Sequence, residues 1–102
     1  MLSENEFDAR LASEEKKLRR SLEFEPNDCA SIHRLVNLLT AKRTDDAYEE
    51  AEGLCRRIIQ IEPENVDHQL FLADLLSKQG RYPDAENTIR EVTKIDAENV
   101  AA

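Results

Sequence analysis

Glycine occurs twice and proline three times in these 102 residues, and tryptophan is absent. So few backbone breakers leave room for long helices and little for tight hairpin turns, which consume glycine. No apolar run approaches the roughly 18 residues that a membrane-spanning helix needs. Basic residues are outnumbered, 14 against 22 acidic, for a formal net charge of −8. A chain of this charge does not hold phosphate backbones without a local basic patch, so no nucleic-acid partner is expected. No glycine-rich phosphate loop is present either. The opening "MLSENEFDAR" carries acids where a secretory leader needs a basic end and an apolar stretch, and a cytoplasmic location is expected. Cys29 and Cys55 have no paired spacing; in such a compartment they are expected reduced rather than bridged. The length suits one domain with a modest core.

What is present is a repeat. Ala51 aligns with Ala85, Cys55 with Ile89, Ile61 with Ile95, Pro63 with Ala97 and Tyr48 with Tyr82, each pair 34 residues apart. "IEPEN" at 61–65 is echoed by "IDAEN" at 95–99. Self-similarity at one fixed period of this size marks a repeat array. Pro26 and Pro63 are 37 residues apart, so the first copy, 29–65, is three residues longer than the second, 66–99. The extra residues fall around "TAKRTDDAY", where a turn between two helices is expected to absorb them.

Each copy reads as two helices. In the second, Asn65 is placed to cap a helix carrying Leu72, Leu75 and Leu76. Gly80 suits its end and Pro83 the first turn of the next helix, whose apolar face is Ala85, Ile89, Val92 and Ile95. In the first, Asn27 or Asp28 caps a helix with Ile32, Leu35, Leu38 and Leu39, and Thr44 caps one with Ala51, Cys55, Ile58, Ile59 and Ile61. Ahead of both, Ser3 and Glu6 have capping-box spacing, and Phe7, Leu11, Leu18 and Leu22 form a one-sided stripe. Residues 1–25 are therefore expected to be a helix covering the first copy. The result is an all-α fold of about five helices. The run "EEKKLRR" at 14–20 is expected to be a solvated face with ion pairs four residues apart.

These features resemble the tetratricopeptide repeat family, whose pattern is W-x2-L-G-x2-Y, A-x3-F, then P. The second copy has Gln69, Leu72, Ala73, Leu76, Ala85 and Ile89, with Ala97 in the proline position and the turn Gln79-Gly80-Arg81-Tyr82. The first has Ile32, Leu35, Val36, Leu39, Ala51, Cys55 and Pro63. Gln69, Val36 and Ala97 depart from the pattern, and Val36 is expected to push its two helices slightly apart. Ala51, Ala85 and Gly53 are expected to let paired helices approach closely. The resemblance implies a superhelix of antiparallel helix hairpins that binds a peptide or helix of a partner protein in a concave groove.

Carried over by position, the groove residues are His33, Arg34 and Asn37 from the first copy, with Ala30, Thr40 and Ala41 beside them. The second copy supplies Asp67, Leu70, Phe71, Asp74 and Lys78, with Ser77. Phe71 is either a groove anchor or an interior residue. Some relatives clamp a terminal carboxylate with lysine, arginine and asparagine. Asn37 holds one such position, but His33 and Phe71 replace the lysine and the second asparagine, so no clamp is expected. The alternative role is self-association. "DAENVAA" is too short for a full covering helix, and Ile89, Val92 and Ile95 are expected to be partly uncovered, as for a homodimer. No catalytic residues are expected: Cys29 and His33 share a helix face but have no orienting third group. No metal or cofactor is expected either, since Cys29, His33, Cys55 and His68 show none of the paired short spacings of structural zinc sites.

Overall fold

The computed structural model describes the backbone over residues 4–101 and the side chains of residue 6 and residues 9–95. Four short interruptions divide the chain into helices α1 (Glu4–Phe24), α2 (Cys29–Lys42), α3 (Asp45–Ile61), α4 (Val66–Lys78) and α5 (Tyr82–Ala101). No strand occurs among the described residues. Each helix packs chiefly on its neighbour in sequence, α1 on α2 through to α4 on α5. The outcome is an elongated stack of 52 × 32 × 25 Å.

Local chemistry explains the boundaries. Thr44 starts α3 by accepting a hydrogen bond from the Ala47 N–H through its hydroxyl, and Asp45 and Asp46 fill the first turn, where the helix dipole favours acids. Asn65 starts α4 by accepting from the Asp67 N–H at 3.1 Å. Asp28 occupies the N-cap of α2 without capping it; its carboxylate instead accepts from the Ser31 hydroxyl at 2.8 Å. Gly80 ends α4 at φ 75°, with its N–H on the Ser77 carbonyl and that of Arg81 on the Leu76 carbonyl. That double bond pattern is a Schellman stop, and it needs a left-handed residue. The possible capping box of Ser3 lies outside the described residues, as does the side chain of Phe7.

Two expectations are corrected, and one helix end is new. The extra residues of the first copy do not lengthen the turn, which is only Arg43 and Thr44; they add a first turn to α3 ahead of Ala51. Three residues are close to one helical turn, so Ala47 falls on the same buried face as Ala51 and joins the core. Helix α5 runs through the "IDAEN" stretch and on to Ala101. Pro63 stops α3 at Ile61 by lacking an N–H and restricting the residue before it, whereas Ala97 at the matching position permits helix. Gly53 has no packing role: it is exposed, and a Cβ built on it meets nothing within 4 Å.

The core is one apolar cluster built on Ile32, Leu35, Val36 and Leu39 of α2, Ala51, Cys55 and Ile58 of α3, and Leu72, Leu75 and Leu76 of α4. Val36 is accommodated there, fully buried. Gln69, at the family's aromatic position, is buried too, and its amide donates to the Pro63 carbonyl at 3.4 Å. Leu18 and Leu22 of α1 join this cluster. Part of "EEKKLRR" is more than a solvated face. Arg19 bonds Glu15 one turn back, as expected, but its guanidinium also forks onto Glu50 of α3 at 2.6 and 2.9 Å. Lys42 of α2 pairs with Glu15 at 2.5 Å. This network ties α1 to two helices at once.

The two glycines are expected to respond oppositely. Gly80→Ala costs about 1 kcal/mol, because space is free but the left-handed backbone is not. Gly53→Ala gains about 0.5–1 kcal/mol, since an exposed helical glycine only carries the entropy cost. Urea unfolding of both variants checks the signs. A pH dependence follows from the α1 network. Glu15 is held below its ordinary value of 4.5 mainly by Lys42, and Glu50 by Arg19. Carboxyls depressed in the folded state contribute stability above that value and lose it as pH falls through their folded-state values. Each pair is open to solvent on at least one side, so about 0.2–1 kcal/mol is at stake per pair. Acidification below 4.5 is expected to speed amide exchange in α1 before α2–α4.

Candidate functional site

Residues 30, 34, 37 and 41 recur at helical spacing along α2, and residues 67, 70, 74 and 78 do so along α4, so each set forms one stripe. Every residue of the two stripes is exposed. The helices are joined across the stack by His33 and Phe71, whose rings stack 4.2 Å apart with a 19° interplanar angle. That contact brings the two stripes side by side. Of the expected groove residues, Arg34, Asn37, Asp67, Leu70, Asp74 and Lys78 all face outward. Leu70 keeps 46% of its surface accessible. Phe71 takes the interior alternative in part: it is half-buried and packs on the core under His33.

Beyond the stacked rings, the stripes border a cleft of about 520 Å³ lined by Asn37, Thr40, Ala41, Arg43, Tyr48 and Lys78. A second cleft of about 460 Å³ shares Tyr48 and Lys78 and adds Asp45, Glu49, Glu52, Gln79 and Arg81. One cleft is thus bordered by cations and its neighbour mainly by carboxylates. Lys78 pairs with Asp74 at 3.1 Å, and Arg81 bonds both Glu52 and Asp84. Arg43 and Tyr48 were not foreseen at this place. They reach it because the interhelical turn is only two residues long and sets the start of α3 against the end of α2.

At the other end of the α2 and α4 stripes lies a polar cluster. His33 Nε2 is 3.2 Å from His68 Nδ1, and His68 Nε2 is 2.9 Å from a carboxylate oxygen of Glu62. Asn65 Nδ2 also approaches His68 Nε2, at 3.4 Å. The two neighbours pull the tautomer opposite ways, since Glu62 asks for a donor and the Asn65 amide for an acceptor; the shorter contact assigns the proton to Nε2. Cys29 bonds the same carboxylate. Its sulfur, the Glu62 oxygen and a His68 nitrogen lie within 4.8 Å of one another.

The pairing of Cys29 with His33 read from their spacing is therefore replaced by Cys29 with Glu62 and His68. His68 is buried and faces the cluster rather than a groove. Burial, and then Glu62 beside it, pushes the Cys29 thiol up. The bonds from His68 and then Cys29 hold Glu62 below the usual carboxylate range. Burial, with the His68 ring next, holds His33 below the usual imidazole value. Cys55 is elsewhere, sealed in the core, with its thiol pushed up to about 12. Both thiols are free. A thiol kept protonated is a weak nucleophile.

Glu62 is the residue that spacing alone did not supply. The signal lay in the hairpin topology. The C-cap of α3 adjoins the starts of α2 and α4, so "EPEN" meets Cys29 and His68. At the far end, Val92 is 8% accessible and therefore buried, Ile95 is half-buried and Ile89 is 48% accessible. Tyr82 and Tyr48 occupy matching sequence positions, yet Tyr82 is exposed and Tyr48 half-buried, because α4 packs over α3 and no described helix follows α5.

A sequence model described as tetratricopeptide repeat matches residues 38–102, from the last turn of α2 through α5. The chain belongs to the tetratricopeptide repeat family. Repeats of this family in general mediate protein–protein interactions and are not enzymes. No curated protein matches the chain. No described helix of this family member is long and apolar enough to cross a membrane.

Proposed function

We propose that this tetratricopeptide repeat protein is a non-catalytic, cytoplasmic adaptor that holds a peptide or helix of a partner protein along the α2–α4 face. The observation that carries this reading is the pair of adjoining exposed stripes opening onto the cleft of Asn37, Thr40, Ala41 and Lys78. Leu70 supplies apolar area, while Arg34, Asn37, Asp67 and Asp74 supply polar contacts of both signs. Buried apolar anchors with charged surroundings are what give such interfaces their energy and their register. Two free thiols suit a reducing compartment. The chain's charge of −8 favours a basic partner through long-range steering.

A second reading, self-association, rests on a different observation. Ile89 and Tyr82 are seven residues apart on α5, hence on one face, and both are exposed. Val92 is buried and takes no part, and Ile95 offers only its half-exposed edge.

Substitutions at exposed positions separate the two. Leu70→Asp and Arg34→Glu are expected to weaken capture of a protein partner by about tenfold or more, at unchanged helicity. Phe71 is a poorer test because it packs on the core. Partner retention by both variants at wild-type strength rejects the α2–α4 face. Ile89→Glu is expected to convert any dimer to monomer without lowering the melting temperature. A wild-type chain that sediments as a monomer at high concentration removes the second reading.

A further inference from the structure

We propose that Cys29, Glu62 and His68 form a binding site for a divalent cation of the zinc class, with His33 as a positioning residue. Three elements converge there: the first residue of α2, the C-cap of α3 and the first turn of α4. Their sulfur, oxygen and nitrogen atoms all lie within 4.8 Å of one another. Tetrahedral zinc, with bonds of about 2.0–2.3 Å, asks for donor atoms about 3.3–3.8 Å apart. Rotating side chains closes that difference, and Glu62, half exposed, has the freedom to do so. A thiolate, an imidazole and a carboxylate are the donor types zinc accepts, and three protein donors leave a fourth position for water.

The surroundings suit a ligand role for His68. It is buried, so its ring has one orientation, with Nε2 toward Glu62 and Nδ1 toward His33. A metal on Nε2 requires the proton on Nδ1, where His33 Nε2 stands 3.2 Å away to accept it. His33 in turn is held by its stack on Phe71. A partner on the second ring nitrogen is the usual support of a metal-bound histidine. The balance is simple. The Cys29 thiol proton leaves to solvent, the His68 proton moves from Nε2 to Nδ1, and His33 exchanges its own tautomer with no net gain or loss. None of this depends on what the α2–α4 face binds.

The test uses the whole reduced chain with Co²⁺ and Zn²⁺ as probes. Co²⁺ is expected to give a thiolate-to-cobalt charge-transfer band saturating at one equivalent, and Zn²⁺ to bleach it. Cys29→Ser removes the band, whereas Cys55→Ala retains it. Glu62→Gln weakens Zn²⁺ binding about tenfold or more. His33→Gln weakens it about 10–100-fold and shifts the cobalt d–d bands, a loss that exceeds whatever the variant takes from the melting temperature of the metal-free protein. Zn²⁺ raises the melting temperature of the wild type and not of Cys29→Ser. Circular dichroism of each variant checks that it is folded. Absence of the band in the wild type, its survival in Cys29→Ser, or its loss in Cys55→Ala overturns the assignment.

Discussion

The stack depends on α3 being packed from both sides. Ala47, Ala51, Cys55 and Ile58 form its buried stripe, and α2 and α4 both pack on this helix. Ala51 and Cys55 are small and fully buried, so the neighbouring backbones approach closely while Ile32, Leu35, Leu39 and Leu76 fill the space around them. A larger residue at Ala51 has nowhere to go without spreading α2 from α3. Because helices here contact chiefly their sequence neighbours, stability is built step by step along the chain rather than around one centre.

That one-dimensional logic makes the ends different from the middle. At the N-terminal end, α1 lays Leu18 and Leu22 on the core and adds the partly exposed Glu15–Arg19–Glu50–Lys42 network, whose depressed carboxyls make it adjustable by pH. At the other end α5 buries Ala85 and Val92 against α4 but leaves Tyr82 and Ile89 in contact with solvent. Between the ends, the same geometry that buries one side of α2 and α4 leaves their other side open, with stacked His33 and Phe71 as the bridge. The open face and the polar cluster are consequences of one arrangement.

Much of this was legible in the chain because it is local. Thr44 and Asn65 act through N–H groups two or three residues away, and Gly80 through its own backbone, so their roles follow from identity and position. The outward positions on α2 and α4 came from the family resemblance, carried over position by position, and those on the two stripes are exposed. Local rules misled where two answers satisfied them equally. Three extra residues suit either a longer turn or an added helical turn, and only burial of Ala47 beside Ala51 favours the second. Gly53 reads as a close-packing glycine until the exposed side of α3 is known. The extent of α5 was left open, and it runs on because Ala97, unlike Pro63, contains no stop.

Helix type, number and most boundaries, the repeat and the family are therefore properties of the sequence itself, since they rest on side-chain periodicity and capping within a few residues. The meeting of Cys29 with Glu62 and His68 is not. Glu62 and His68 meet across one short turn, but Cys29 joins them only when α2 packs on α3 and α4, and no spacing along the chain records that meeting. The same holds for which tyrosine is covered and how far the end of α5 is shielded. Such features are set by what lies across from a side chain, and that is decided by tertiary packing alone.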